Sequence, residues 1–286
     1  MPTFATEESL VHVAIKAEEL FVLGPITITN SMVGVLIASL VLLAGAWYVT
    51  RRATLVPGRL QSVIEFPVEF MANIVEGQGG HRWRSILPLI LTIFLLVLTA
   101  NWVGLLPGVG TIAINWTDAE GHVAAHPLIR PASADLNFTL ALAIIAFVAF
   151  VSWGIRANGV GGYLKETFVA NPAYMTPIMT PIHVVSELSR LISLSMRLFG
   201  NVFAGEVLLA VMLALTFAVV PAIFLGLELV FGFVQALVFA LLTMTYITLA
   251  MAGHGGGHDE EHDEPHGDAD DAGLSEQYAT AGANRP

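Results

Sequence analysis

The sequence predicts an all-α membrane protein. It has about five transmembrane helices plus a membrane-surface amphipathic helix, and its last two helices form a long tilted hairpin. Three observations carry that prediction. Hydrophobic residues fill 55% of the 286 positions and charged residues only 12%, about half the charged share of a soluble domain. Mean hydropathy is +0.73. Apolar runs of about 18 residues or more recur, each long enough to cross a hydrocarbon layer of ~30 Å as a helix.

Residues 1–30 are expected to form an extracytoplasmic N-terminal segment, with a short helix over 5–21. The opening MPTFATEESL is acidic where a secretory signal would be basic. The membrane domain is 31–252, and its first span, 31–50, ends on Arg51 and Arg52. VPG at 56–58 breaks the chain. Over about 58–78, Leu60, Val63, Ile64, Met71, Ile74 and Val75 keep helical spacing, while Arg59, Ser62, Glu65, Glu69 and Glu76 take other faces. Such a helix lies along the membrane surface or packs on a neighbour.

Further spans are expected at 85–106 and 136–155, separated by a proline-containing loop over 107–135 and followed by the basic, glycine-rich connection 156–166. Two very long apolar segments, 175–219 and 221–252, meet at Pro221. A helix of roughly 40 residues is ~60 Å long, about twice the hydrocarbon thickness, so it must tilt, bend or leave the bilayer. Residues 253–286 read as a disordered acidic, His-rich tail. That tail holds nine acids against Arg285, so −8 of the formal −11 belongs to it and only −3 to everything before.

Orientation follows from the basic residues of the connections. Arg51, Arg52, Arg59, Arg82, Arg84, Arg156 and Lys165 fall on one side, Lys16 and Arg130 on the other. The richer side is cytoplasmic, which puts the N-terminus outside and the C-terminus in the cytoplasm. With no cysteine, the chain has no disulfide, thiol nucleophile or thiolate metal site. It also has no G-x-x-x-x-G-K-[ST] loop for a nucleotide and no H-E-x-x-H for a hydrolytic metal.

The long segments carry charges at membrane depth, where each costs ~3 kcal/mol or more. Glu187, Arg190, Arg197, Asn201 and Glu206 lie on the first, Glu228 and Gln235 on the second. At 100° per residue, Arg190, Arg197 and Asn201 fall within about 60° of one another. Glu206 points to the opposite face, ~13 Å along, so it cannot simply pair with Arg197. In a hairpin turning at Pro221, Glu206 and Glu228 share a depth near the outer end, with Arg197 and Gln235 deeper. An arginine keeps its proton in a protein, so Arg197 can attract, discharge or block a proton but not carry one. Blander roles stand beside these: carbonyl or headgroup bonding for Arg197, protonated burial for the two acids, a packing hydrogen bond for Gln235, and a local ion pair for Glu187 and Arg190.

SLSMRLFGNVFAGE, VPGRLQ, NWVGLLPG, PASADLNFTLALA, GGYLKE and VQALVFALLTMTYI are similar, in this order, to the motif blocks of the a subunit of rotary F-type ATP synthases. The resemblance runs from about residue 40 to 250. It implies a non-catalytic stator subunit of a bacterial cell (inner) membrane, with two offset proton half-channels beside a ring of c subunits. Its other partners would be the b-subunit peripheral stalk, further synthase subunits, protons and membrane lipids, with no nucleic acid and no cofactor. It implies that Arg197 faces the ring carboxylates and that Glu206, Glu228, Gln235 and Asn201 serve proton translocation. Asn101, His183, Glu187, Arg190 and Ser193 become secondary half-channel positions.

Gly104 stands where some relatives carry an aspartate, His183 where many carry a glutamate, and Leu191 where a proline is frequent. Two rivals from other classes are a stand-alone secondary ion transporter, which should show interrupted helices in two corresponding halves, and an intramembrane hydrolase, whose motifs are absent from the membrane segments. His254, His258, His262 and His266 recur every four residues in the tail. They are weak metal candidates in a segment that reads as solvated. Deleting residues 257–286 is therefore expected to leave ATP-driven acidification of membrane vesicles unchanged, with or without added zinc.

Overall fold

The computed structural model describes residues 19–23, 26–52, 54, 58–106, 109, 113–117, 123–127, 129–168, 176–216 and 219–252. The greater part of the expected N-terminal helix, and the tail with its four histidines, lie outside the described residues. Six α-helices dominate: α1 (Asn30–Arg52), α2 (Arg59–Gly79), α3 (Trp83–Gly104), α4 (Leu136–Phe168), α5 (Thr176–Leu215) and α6 (Val219–Ala252). All except α2 are long and apolar enough to cross a membrane. The chain is an all-α membrane protein.

Several local expectations are corrected. Residues 19–21 are not helical: β1 (Glu19–Leu23) pairs antiparallel with β2 (Ile26–Thr29), consistent with the β-branched and aromatic content of FVL and ITIT. The loop before α4 holds a second hairpin, β3 (Ala113–Thr117) with β4 (Val123–Pro127), and a 3-10 turn at Ala132–Ala134. The connection 156–166 is helical, because α4 continues through it with one break at Gly159, where φ is +73°. Only glycine adopts that conformation without strain. Pro221 is not the join of the hairpin. It sits in the first turn of α6, where its missing N–H removes no helical bond, and the join falls at 216–218.

The core lies among α3, α4 and α6, with α2 and α5 packed against it. In lipid there is little hydrophobic gain from pairing helices, so close approach and shape must hold them. Ala143, Ala146 and Ala149 on α4 are buried, as are Ala236 and Ala240 on α6. These small side chains let the two backbones approach. Larger residues then fill the remaining space: Phe94 meets Phe233 edge-on at 6.0 Å, and Phe150 meets Tyr246 at 6.2 Å. Edge-to-face pairs of this kind add ~1 kcal/mol each.

At the end of the bundle that holds the 216–218 join, the start of α1 is tied to the start of α4. Ser31 donates its hydroxyl to Asp135, whose other oxygen accepts the Asn137 N–H at 2.9 Å and caps α4. Gly34 packs directly on the carbonyl of Arg130. At the opposite end, three arginines lie over tryptophan rings: Arg51 on Trp47 at 4.5 Å, Arg84 on Trp83 at 5.3 Å and Arg156 on Trp153 at 5.4 Å. A ring with a cation above it suits a membrane–water interface.

Gly34→Ala drives a methyl group into backbone rather than into a flexible side chain. It should destabilise the fold by about 1–3 kcal/mol, read as a lowered thermal unfolding midpoint in detergent, whereas Gly45→Ala, with open space around it, should leave the midpoint unchanged.

Candidate intramembrane ion site

Three helices and one turn enclose a cavity of about 170 Å³, room for several waters. Its polar lining comes from Asn101 on α3, Asn201 on α5 and Glu228 on α6, with Gly205, Gly232 and Pro131 completing the wall. Asn101 is 4% exposed and donates through Nδ2 to the Gly232 carbonyl at 3.1 Å. The absence of a side chain at Gly232 permits that approach, since a Cβ there would lie 3.2 Å from Asn101 Cβ. Trp102 adds a bond from Nε1 to the Leu229 carbonyl at 3.3 Å. Together these two bonds fasten α3 to α6 beside Glu228.

The Glu228 carboxylate lies against Gly205, where a Cβ would come within 2.6 Å of its Cδ. Its Oε2 is buried and has no hydrogen-bond partner among the described residues, and the same holds for Asn101 Oδ1; the buried Gln235 Nε2 likewise lacks an acceptor, but Gln235 is not among the residues lining the cavity. Unpaired polar atoms around a roomy cavity call for water or a transported ion. Glu206 lies near enough to act electrostatically on Glu228, yet it is held differently. Its Oε2 accepts from Arg130 Nε at 3.3 Å and Nη2 at 3.2 Å, and the Arg130 side chain is 5% exposed. The Glu206 side chain is 24% exposed, so the pair is buried on the arginine side only.

Arg197 sits elsewhere on α5. That helix docks through buried Leu194, Ser195, Leu198 and Val202, and Ser195 shares a hydroxyl hydrogen bond of 3.2 Å with Thr139 of α4. Arg197 points away and is exposed, together with Ser193, Gly200 and Ala204, residues that share its helical face. Among the described residues, no carboxylate or carbonyl is bonded to Arg197.

The positions singled out from the sequence thus divide. Asn101, Asn201 and Glu228 meet in the cavity, whereas Glu206 is not part of its lining and pairs with Arg130. Gln235 is buried in the bundle at 7% exposure, while Arg197 and Ser193 face outward. Glu187 and Arg190 form a local ion pair at 2.7 Å, with the Arg190 guanidinium 5.2 Å from the Tyr246 ring centroid. His183 is half-buried on α5. Sequence reasoning missed Arg130 as a site residue, counting it only as a loop charge; its place directly before the PASADLN block was the available signal. It also missed Gly205 and Gly232, whose role is to be small. Among the described residues, no three His, Asp or Glu side chains gather as metal ligands.

Bilayer-length helices with a cation, acids and amides confined mainly to the last two define an integral membrane protein with an intramembrane ionisable site. The family model described as ATP synthase A chain matches residues 32–248, and the chain belongs to that family. Relatives named ATP synthase subunit a include one from Moorella thermoacetica, 32% identical over 84% of this chain and 99% of its own length. Those from Mycobacterium ulcerans and Gloeobacter violaceus are each 36% identical, over 78% and 81% of this chain and 87% and 88% of their own lengths.

Gly205→Ala pushes against the tip of a flexible side chain, so it should displace the Glu228 carboxylate at little cost in stability. The expected result is an unfolding free energy within about 1 kcal/mol of the parent, with the carboxylate moved off the cavity wall in a structure of the variant.

Proposed function

We propose that this chain is the stator subunit that conducts protons through the membrane sector of an ATP synthase and couples their flow to rotation of a ring of c subunits. The observation that carries the reading is Arg197: a permanent cation on a bilayer-length helix, exposed on the face turned away from its own bundle. Such a group needs a partner outside the chain, because leaving it in hydrocarbon costs ~3 kcal/mol or more. A carboxylate on a neighbouring ring supplies that partner. The small side chains of Ser193, Gly200 and Ala204 let a helical surface come close to the guanidinium.

In this reading the seven clustered bases mark the cytoplasmic side, so the cavity beside Glu228 opens towards the outside. A proton arriving through its waters passes Asn201 and Glu228 to a ring carboxylate, with Gln235 adding a polar group deeper in the path. After nearly a full turn the carboxylate meets Arg197. The cation favours the ionised form, so the proton departs through the inner half-channel, near Glu187, Arg190 and His183. Because guanidinium holds its own proton, it also blocks a direct leak between the half-channels. Each charge crossing 100 mV supplies about 2.3 kcal/mol, and several per turn drive rotation. The b-subunit peripheral stalk holds the chain against that motion.

Two substitutions test the reading in membrane vesicles, with c ring and catalytic head shown to co-purify. Arg197→Ala should abolish ATP-driven acidification, and Arg197→Lys should restore it only in part, since a buried ammonium can lose its proton. Normal pumping by the alanine variant would sink the proposal. Glu228→Gln should slow pumping at least about tenfold at unchanged subunit abundance.

A further inference from the structure

The cavity beside Glu228 is walled mostly by hydrocarbon. Leu208, Phe224, Leu227 and Phe231 supply much of its lining. Its volume of about 170 Å³ exceeds the ~150 Å³ that suffices to hold benzene in an engineered apolar cavity. Set into that wall are the side chains of Glu228, Asn101 and Asn201. We propose that the cavity is a binding site for small protonated amines with one short hydrocarbon arm. Glu228 and Asn101 bond the ammonium, and the arm lodges among the leucines and phenylalanines. The site stands whether or not protons pass through it.

The polar end of the cavity is short of donors, not of acceptors. Glu228 Oε2 and Asn101 Oδ1 are both buried without a hydrogen-bond partner among the described residues. Asn101 is not free to turn its amide and supply a donor. Its Nδ2 is held on the Gly232 carbonyl at 3.1 Å, and a flip would set Oδ1 against that carbonyl, acceptor to acceptor. Among the described residues no cation is paired with Glu228 either. An occupant that completes this end therefore brings hydrogen-bond donors and positive charge together. A primary ammonium carries three donors and no acceptor, and it stays protonated near neutral pH as a lysine head does. A bare metal cation asks for about six oxygens, more than these three side chains offer, and it would leave the phenylalanines facing an ion. Water satisfies the two oxygens but gains nothing from the apolar wall. A few polar groups set in a hydrocarbon lining are the usual make-up of a small-molecule site.

Benzylammonium is the probe. Benzyl alcohol serves as its neutral counterpart of similar shape, and benzyltrimethylammonium as a cation without N–H donors. Binding to the purified synthase is read by saturation-transfer NMR. Benzylammonium should bind at least about tenfold more tightly than either comparison compound, the step expected of charge-assisted hydrogen bonds. That comparison uses the parent protein, so it decides the matter even where a substituted chain fails to assemble. Glu228→Gln should weaken benzylammonium at least about tenfold, and Asn101→Leu about fivefold, each with benzyl alcohol changed less than about threefold. Equal binding of the alcohol would overturn the proposal by showing a merely apolar cavity, and equal binding of the trimethylated ion by showing that charge alone suffices. Displacement of the probe by sodium at equal concentration would make this a metal-ion site instead. Amine binding undiminished in both variants would put the ligand elsewhere in the complex, which overturns the proposal too. With ionophores present to dissipate any gradient, occupancy should also slow ATP hydrolysis by the coupled synthase and not by its detached catalytic head. Binding without that slowing would uphold the site and strike the entry-path reading.

Discussion

An arginine cannot shed its charge to enter lipid, and the arrangement of this molecule follows from how each guanidinium is accommodated. Arg51, Arg84 and Arg156 lie over tryptophan rings at one end of the bundle, where the long stem crosses apolar surface and the head reaches the interface. Arg190 takes a local carboxylate and an aromatic face. Arg130 is buried against Glu206 across 76 residues of sequence. Arg197 alone of these is presented outward at membrane depth without a carboxylate of its own among the described residues. Five of these six arginines find their partners within the chain; Arg197 is the one turned outward.

Bringing polar groups together inside such a bundle demands close backbone approach. Gly34 and Gly104 admit the segment that delivers Arg130, while Gly205 and Gly232 admit Glu228 and Asn101. At Gly34, Gly104 and Gly205 a methyl group would overlap the group it faces, and at Gly232 it would crowd Asn101, so the site is defined as much by missing side chains as by charged ones. The alanines on α4 and α6 serve the same end in the core, where density of contact takes over from the hydrophobic effect.

The spans were legible because bilayer thickness sets a length that apolar runs must match, and α2 was legible from its periodicity. What the sequence hid was local or distant. The break at Gly159 could not be told from the neighbouring glycines of GVGG, since only one of them takes a positive φ. Pro221 reads as a breaker but fits the first turn of a helix equally well, so the join was placed a few residues late. The Glu187–Arg190 pair follows from i,i+3 spacing. The Arg130–Glu206 pair has no spacing rule, and only the folding of the 129–135 segment onto α1 and α3 brings it about. Glu228 and Asn201 were both readable as polar residues in apolar helices, but their meeting with Asn101 needed the third helix.

The docking of α5 has a mechanical side. The helix is fastened to α4 at Ser195 through Thr139, and to the Arg130 segment at Glu206, two points ~16 Å apart along its axis. Arg197 falls between them. A rod held on both sides of its loaded point bends little, so a surface sliding past this guanidinium would push against α4 and the α1 anchor rather than deflect α5. In the proposed rotary function, that support would keep the height of the cation and its offset from the cavity constant under shear.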